Sequence, residues 1–119
     1  MNGKKIRLSK SSISQKEKDA VLKVLGSEFL GMGEEVKLFE DKIKEYLETS
    51  MDVVCVNTGT SALHLAISAL DIGEGDEVLV PSLTYVASYQ AISATGATPI
   101  SCEINPDTLF IDMEDAKKK

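Results

Sequence analysis

Cysteine is scarce in this chain: there are two, Cys55 and Cys102, in 119 residues. Both fall in short apolar runs that read as buried strands. They read as small hydrophobes in a reducing compartment, not as a disulfide framework. Histidine is scarcer, with His64 alone. One turn into an apolar helical run, it reads as a packed side chain, and no metal-ligating set is expected. A basic excess is missing too: 13 Lys and Arg stand against 19 Asp and Glu, for a net charge of −6. A nucleic-acid-binding face needs a basic patch to meet the phosphate backbone, so that class is excluded, as is an anionic membrane surface. No apolar run approaches the length of a membrane span. The first seven residues carry charges with no apolar core behind them, so they do not read as a secretory signal. Together these absences lead to the expectation of a cytoplasmic chain. Internal repeats and low-complexity tracts are also absent.

What is present is an ordinary globular composition, 43% hydrophobic and 27% charged, with room for one small core. Ser14 followed by Glu17 reads as a capping box opening a helix. Val21, Leu22 and Leu25 recur at helical spacing, and Gly26 ends the run. A loop from Ser27 to Gly33 carries Phe29 and Leu30. A second amphipathic helix follows, with Val36, Phe39, Ile43 and Leu47 in one stripe, Tyr46 beside it, and Glu and Lys opposite. The stripe reads as packing, in a core or against a partner chain.

The pattern changes at Met51. Val53–Val56 reads as a buried strand and residues 60–70 as a helix. Gly73-Glu74-Gly75-Asp76 is a turn with a helix-stopping glycine. Glu77–Val80 reads as a second strand ended by Pro81, residues 85–95 as a helix ended by Gly96, and Thr98 to Ile104 as a third strand. Asn105-Pro106-Asp107 is a turn, and Asp112 is placed to cap a last helix. Strand–helix–strand–helix–strand is an α/β signature, with a mostly parallel sheet and right-handed crossovers. Three strands with a fourth crossover just starting leave an exposed edge. The chain is therefore expected to be the N-terminal portion of a longer protein, with poor solubility as an isolated piece.

One stretch carries chemistry. Asn57-Thr58-Gly59-Thr60-Ser61-Ala62-Leu63 follows the first predicted strand and opens an apolar helix. Strand, small polar turn and helix present free N–H groups and a positive dipole end to an anion. Gly59 allows close approach to the backbone, and Thr58, Thr60 and Ser61 add hydroxyl donors. On these residues alone, plain capping by Thr60 and Ser61 is as good a reading as ligand binding. A Walker loop is excluded because no Gly-Lys-Ser/Thr ending is present. Gly31-Met32-Gly33 resembles the start of a dinucleotide fingerprint but does not follow a strand, so its context fails. A second stretch, Pro81-Ser82-Leu83-Thr84-Tyr85-Val86-Ala87-Ser88, lies at the end of the second strand, where ligands of parallel sheets bind. Tyr85 there could lie over a flat cofactor; by itself it reads more readily as a core or surface aromatic.

Five motifs in order resemble one family. They are Gly31-Met32-Gly33-Glu34-Glu35 before Phe39-Glu40, Asn57 to Ala66, Gly73 to Val78, Pro81 to Ser88, and Ile104 to Thr108 before Ile111-Asp112. The chain resembles the DegT/DnrJ/EryC1/StrS family of pyridoxal-phosphate-dependent aminotransferases, which act mostly on nucleotide-linked keto-sugars. The resemblance implies that Gly59, Thr60 and Ser61 hold the phosphate of pyridoxal 5′-phosphate and that Tyr85 stacks on its pyridine ring. It implies that the loop from Phe29 to Gly33 lies near a dimer interface and the active site. The implied fold is α/β, the N-terminal part of the large domain of the type I, aspartate-aminotransferase-like fold, with a mostly parallel sheet and flanking helices. Residues 1–50 would be an N-terminal helical segment and 51–119 an incomplete cofactor-binding domain. A nucleotide-sugar substrate, glutamate or glutamine as amino donor, and a homodimer are implied as partners. The family also needs a Schiff-base lysine and an acid near the pyridine nitrogen. No motif here matches either, and Lys117 to Lys119 stand in the wrong context. No catalytic residue is therefore expected within these 119 residues, and transamination by them alone is not. The alternatives are a non-catalytic module pairing with a separate C-terminal half and, within the family, a dehydratase in which histidine replaces the lysine.

Overall fold

A computed structural model describes residues 8–119. They divide into two compact units between Cys55 and Val56.

The first unit holds two helices, α1 (Gln15–Gly26) and α2 (Glu34–Tyr46). The capping box at Ser14 forms as its spacing predicts. The Ser14 side chain accepts from the Lys16 amide, and the Glu17 carboxylate accepts from the Ser14 amide. Hydrogen bonds from the Ser14 side chain, and secondarily its backbone, hold the Glu17 carboxyl below the ordinary glutamate range. α2 starts at Gly33, which offers no side-chain cap. Glycine is needed there for packing: a Cβ on Gly33 would come 2.9 Å from Cδ1 of Phe29. The α2 stripe is only partly covered. Val36 and Ile43 are half-buried, while Phe39 and Leu47 are exposed. On α1, Val21, Leu22 and Leu25 are likewise exposed.

Two expectations about this unit need correction. First, Val53–Val56 does not form a strand; no ladder pairs it among the described residues, and Val54 is exposed. β-branched residues favour a pleated surface but cannot make one without a hydrogen-bonded neighbour. A side chain stands in for that neighbour: the Cys55 amide donates to Oε1 of Glu40 on α2 at 2.8 Å. Second, Gly26 ends α1 as its last helical residue, but the left-handed cap position that a helix-ending glycine favours falls to Glu28, at φ 57°, beyond Ser27.

The second unit contains α3 (Gly59–Ala69), β1 (Glu77–Pro81), α4 (Ala87–Ser93), β2 (Thr98–Cys102) and α5 (Met113–Ala116). β1 and β2 pair in parallel with Glu77 opposite Thr98 and Pro81 opposite Cys102, and α4 is the crossover between them. This β–α–β unit is the α/β signature that the sequence predicts. With Val53–Val56 unpaired, the sheet has two strands rather than three. The predicted strand Thr98–Ile104 stops at Cys102. Ile104 instead forms an isolated antiparallel bridge with Ile111 across the turn at Asn105, whose Oδ1 accepts from the Asp107 and Thr108 amides. Asp112 caps α5 through the Glu114 amide, as expected.

The core consists of Val80, Ile92 and Ala97, covered by Ile67 of α3, Ile72, Val78 and Tyr89. Ala87 and Ala91 are buried on α4; small side chains there let the helix pack closely. The Tyr89 hydroxyl donates to Oγ of Ser101 at 2.9 Å, tying α4 to β2. α3 ends at a left-handed Asp71, φ 57°, and not at Gly73, the glycine predicted to stop it. Gly96, at φ 90°, does supply the left-handed residue after α4, and a Cβ there would sit 3.4 Å from the Glu74 amide. Among the described residues no helix is long and apolar enough to cross a membrane.

Candidate functional site

The turn into α3 is built by its own side chains. Thr58 is extended, at φ −149° and ψ 156°, and is the N-cap. Its Oγ1 accepts from the Ser61 amide at 3.0 Å, and its carbonyl accepts from the Ala62 amide at 3.1 Å. The Thr58 hydroxyl donates to Oγ of Ser61 at 3.0 Å, and Ser61 Oγ donates to Oδ1 of Asn57 at 2.9 Å. The roles therefore differ from a row of equivalent donors. Thr58 is the cap, and neither Thr60 nor Ser61 is. The amides of Gly59 and Thr60, at the first two helical positions, have no partner within the helix. Gly59 is exposed, and a Cβ on it would meet nothing within 4 Å.

The electrostatics agree. α1, α2 and α5 each carry acidic residues in the first turn, while α3, like α4, carries none. The first turn of α3 therefore sets no carboxylate of its own against the dipole end. Two free amides, the hydroxyls of Thr60 and Ser61, and room in front of Gly59 are the donor set and clearance that a phosphate group requires.

Tyr85 belongs to the same unit, in the segment between β1 and α4. The ladder runs past β1 through the Ser82 amide, which donates to the Cys102 carbonyl at 2.7 Å. The Tyr85 carbonyl accepts from the Ser88 amide at 3.0 Å, and the Thr84 and Ser88 hydroxyls lie 2.9 Å apart. Tyr85 is 78% exposed, so it is not part of the core of this unit. Gly59, Thr60 and Ser61 thus form one hydrogen-bonded turn; Tyr85 stands apart on its own loop, preceding the helix that packs against α3. His64 is half-buried within α3.

A cavity of about 750 Å³, lined by Lys23, Val24, Phe29, Met32 and Val36 among others, lies wholly in the first unit. It contains none of the turn residues. The residue that sequence reasoning passed over is Asn57. Its signal is an amide side chain four positions before Ser61, where the incoming turn brings the two together.

Comparison with known proteins decides the family. The model of the DegT/DnrJ/EryC1/StrS aminotransferase family matches residues 11–119. The chain belongs to this family. GDP-perosamine synthase of Escherichia coli O157:H7 is 41% identical over 117 residues, covering 98% of this chain and 32% of that protein. A putative sugar aminotransferase from Streptococcus pneumoniae, Spr1654, solved in its PMP form, superposes with a TM-score of 0.89 at 35% identity, covering 95% of this chain and 28% of the other. The GDP-4-keto-6-deoxy-D-mannose-3-dehydratase of E. coli, solved with bound hydrated PLP, matches with a TM-score of 0.83 at 31% identity, covering 93% of this chain and 30% of the other. The fold is therefore that of the PLP-dependent sugar aminotransferases. This DegT/DnrJ/EryC1/StrS chain spans about a third of the length of the curated relatives it matches.

Proposed function

We propose that this chain supplies the phosphate-anchoring wall of a pyridoxal 5′-phosphate site in a cytoplasmic, homodimeric sugar aminotransferase. The observation that carries this reading is the turn at Gly59–Ser61. It offers free amides, a glycine with open space before it and a helix end with no carboxylate in its first turn, in a chain of this family. The Gly59 and Thr60 amides and the Thr60 and Ser61 hydroxyls hold the phosphate. The Tyr85 ring lies against the pyridine face, where a stacked contact adds about 0.5–1.5 kcal/mol beyond area burial. When bound, pyridoxal phosphate supplies the electron sink for moving an amino group. The residues of this chain fix its position and orientation. They do not themselves supply the Schiff-base lysine or the acid at the pyridine nitrogen, and residues 51–119 act as one part of the cofactor-binding domain.

The substrate class is a nucleotide-linked keto-sugar, with glutamate or glutamine as amino donor; relatives named for dTDP- and GDP-linked sugars support this. The loop from Phe29 to Gly33 is proposed to lie at the dimer interface beside the site. A dehydratase reading is favoured by one neighbour, the E. coli dehydratase. Both are tested on the complete polypeptide that the gene encodes. It is incubated with pyridoxal phosphate, a nucleotide-linked 4-keto-sugar and glutamate, and the products are read by mass spectrometry. An amino sugar together with 2-oxoglutarate supports the aminotransferase. A deoxygenated sugar supports the dehydratase. Neither product, with no cofactor retained, contradicts the proposal.

A further inference from the structure

The proton of the Ser61 hydroxyl is already committed. Ser61 Oγ accepts from the Thr58 hydroxyl at 3.0 Å and donates to Asn57 Oδ1 at 2.9 Å. A serine hydroxyl has one proton and two lone pairs. To donate to a phosphate oxygen, Ser61 must take its proton away from Asn57. Asn57 Oδ1 then loses its donor, and Ser61 has a lone pair free. An amide can answer both states, as a carboxylate cannot: its oxygen accepts from Ser61 in one, and after a half-turn of its plane its Nδ2–H donates to Ser61 Oγ in the other. Asn57 is exposed, so nothing buried opposes the rotation.

We infer that Asn57 is a positioning residue for the phosphate site, a two-way partner that releases the Ser61 proton to the ligand by turning its amide from acceptor to donor. Thr58 stays in place through the change, with Oγ1 held on the Ser61 amide and its hydroxyl on Ser61 Oγ. In the loaded turn Ser61 is saturated: it accepts from Thr58 and Asn57 and donates to phosphate. The inference rests on the proposal that Gly59–Ser61 holds the cofactor phosphate. It adds a residue that touches Ser61 and explains why asparagine, and not aspartate, suits position 57.

The test is a binding titration of the complete polypeptide with pyridoxal phosphate and, separately, with pyridoxal, which lacks the phosphate. Asn57→Ala removes one Asn57–Ser61 hydrogen bond from the free and from the loaded turn alike, so it is expected to change pyridoxal phosphate binding by less than about threefold. Asn57→Asp cannot donate and sets a negative charge beside a dianion, so it is expected to weaken binding roughly a hundredfold. Pyridoxal binding is expected to be the same in all three proteins. In a Ser61→Ala background, Asn57→Asp is expected to cost several-fold less than in the unaltered protein, because part of its effect passes through Ser61. The Asn57 side-chain NH₂ resonance is expected to shift with pyridoxal phosphate and not with pyridoxal, which reads the rotation directly without any variant. Full affinity in Asn57→Asp, an equal loss from Asn57→Asp with and without the Ser61 hydroxyl, or an unmoved NH₂ resonance overturns the inference while leaving the phosphate turn intact. Equal affinity of the unaltered protein for the two ligands overturns both.

Discussion

Replacing Gly59 by alanine separates the demands of the fold from those of a ligand. Gly59 is the first residue of α3, its φ is not in the left-handed region, and an added Cβ meets nothing within 4 Å. Nothing in the fold calls for glycine there. Alanine also costs less chain entropy on folding, so Gly59→Ala is expected to stabilise the ligand-free protein by about 0.4–1 kcal/mol. The same methyl group would occupy the open space in front of the free amides. Lengthening or losing the Gly59 amide contact to a charged phosphate costs roughly 1.5–3 kcal/mol, a factor of about 10 to 150 in affinity. The paired assay is thermal or urea denaturation without ligand, and a titration with pyridoxal phosphate. A variant that is as stable or more stable, but binds at least tenfold more weakly, fits the reasoning. Destabilisation of about 1 kcal/mol or more without ligand would show that the fold requires this glycine. Unchanged affinity would show that no anion approaches it.

Gly96→Ala should behave in the opposite way, losing about 1–2 kcal/mol without any ligand, because φ is 90° and the Glu74 amide is 3.4 Å from the new Cβ; urea denaturation reads this. Glu48→Gly should raise stability by roughly 0.5–1 kcal/mol, since Glu48 occupies the left-handed position after α2 at φ 49° and sets an acidic group at the negative end of the helix. An unchanged melting temperature would refute that. Because the Glu17 carboxyl is held below its ordinary range, its contribution to α1 is complete above that range and is lost as pH falls through the lowered value. NMR titration of the Glu17 carboxyl and the Ser14 amide should show the two moving together, and Ser14→Ala should raise Glu17 part of the way toward its ordinary value, since the backbone amide still donates.

How much of this was legible in the sequence depends on the range of each interaction. The capping box at Ser14 and Glu17, the Asx turn at Asn105 and the Asp112 cap are local, and all three formed where the residue types called for them. The pairing of β1 with β2 followed from the alternation of apolar runs and a helix. The Val53–Val56 run failed as a strand because its composition says only that it suits a sheet; whether a neighbour is present is a long-range fact. The helix stops were legible in part: Gly96 takes the left-handed position after α4, and α1 ends at Gly26. Gly26 and Gly73 looked like C-caps, but the chain spends its left-handed conformation on Glu28, Glu48 and Asp71. An L residue there costs roughly 1–2 kcal/mol, less for aspartate, which the rest of the structure can carry, so glycine was a preference and not a requirement. At the site, the positions of Gly59, Thr60 and Ser61 were legible in the motif. The division of labour among them was not, because it depends on which hydroxyl turns toward which amide.

The central claim is that the Gly59–Ser61 turn receives the phosphate of the cofactor. The measurement that tests it most directly is amide NMR of the complete polypeptide titrated with pyridoxal phosphate and with pyridoxal. The account predicts that the Gly59 and Thr60 amide protons shift downfield with pyridoxal phosphate and stay in place with pyridoxal. Shifts that cluster away from α3, or that are the same for both ligands, would contradict it.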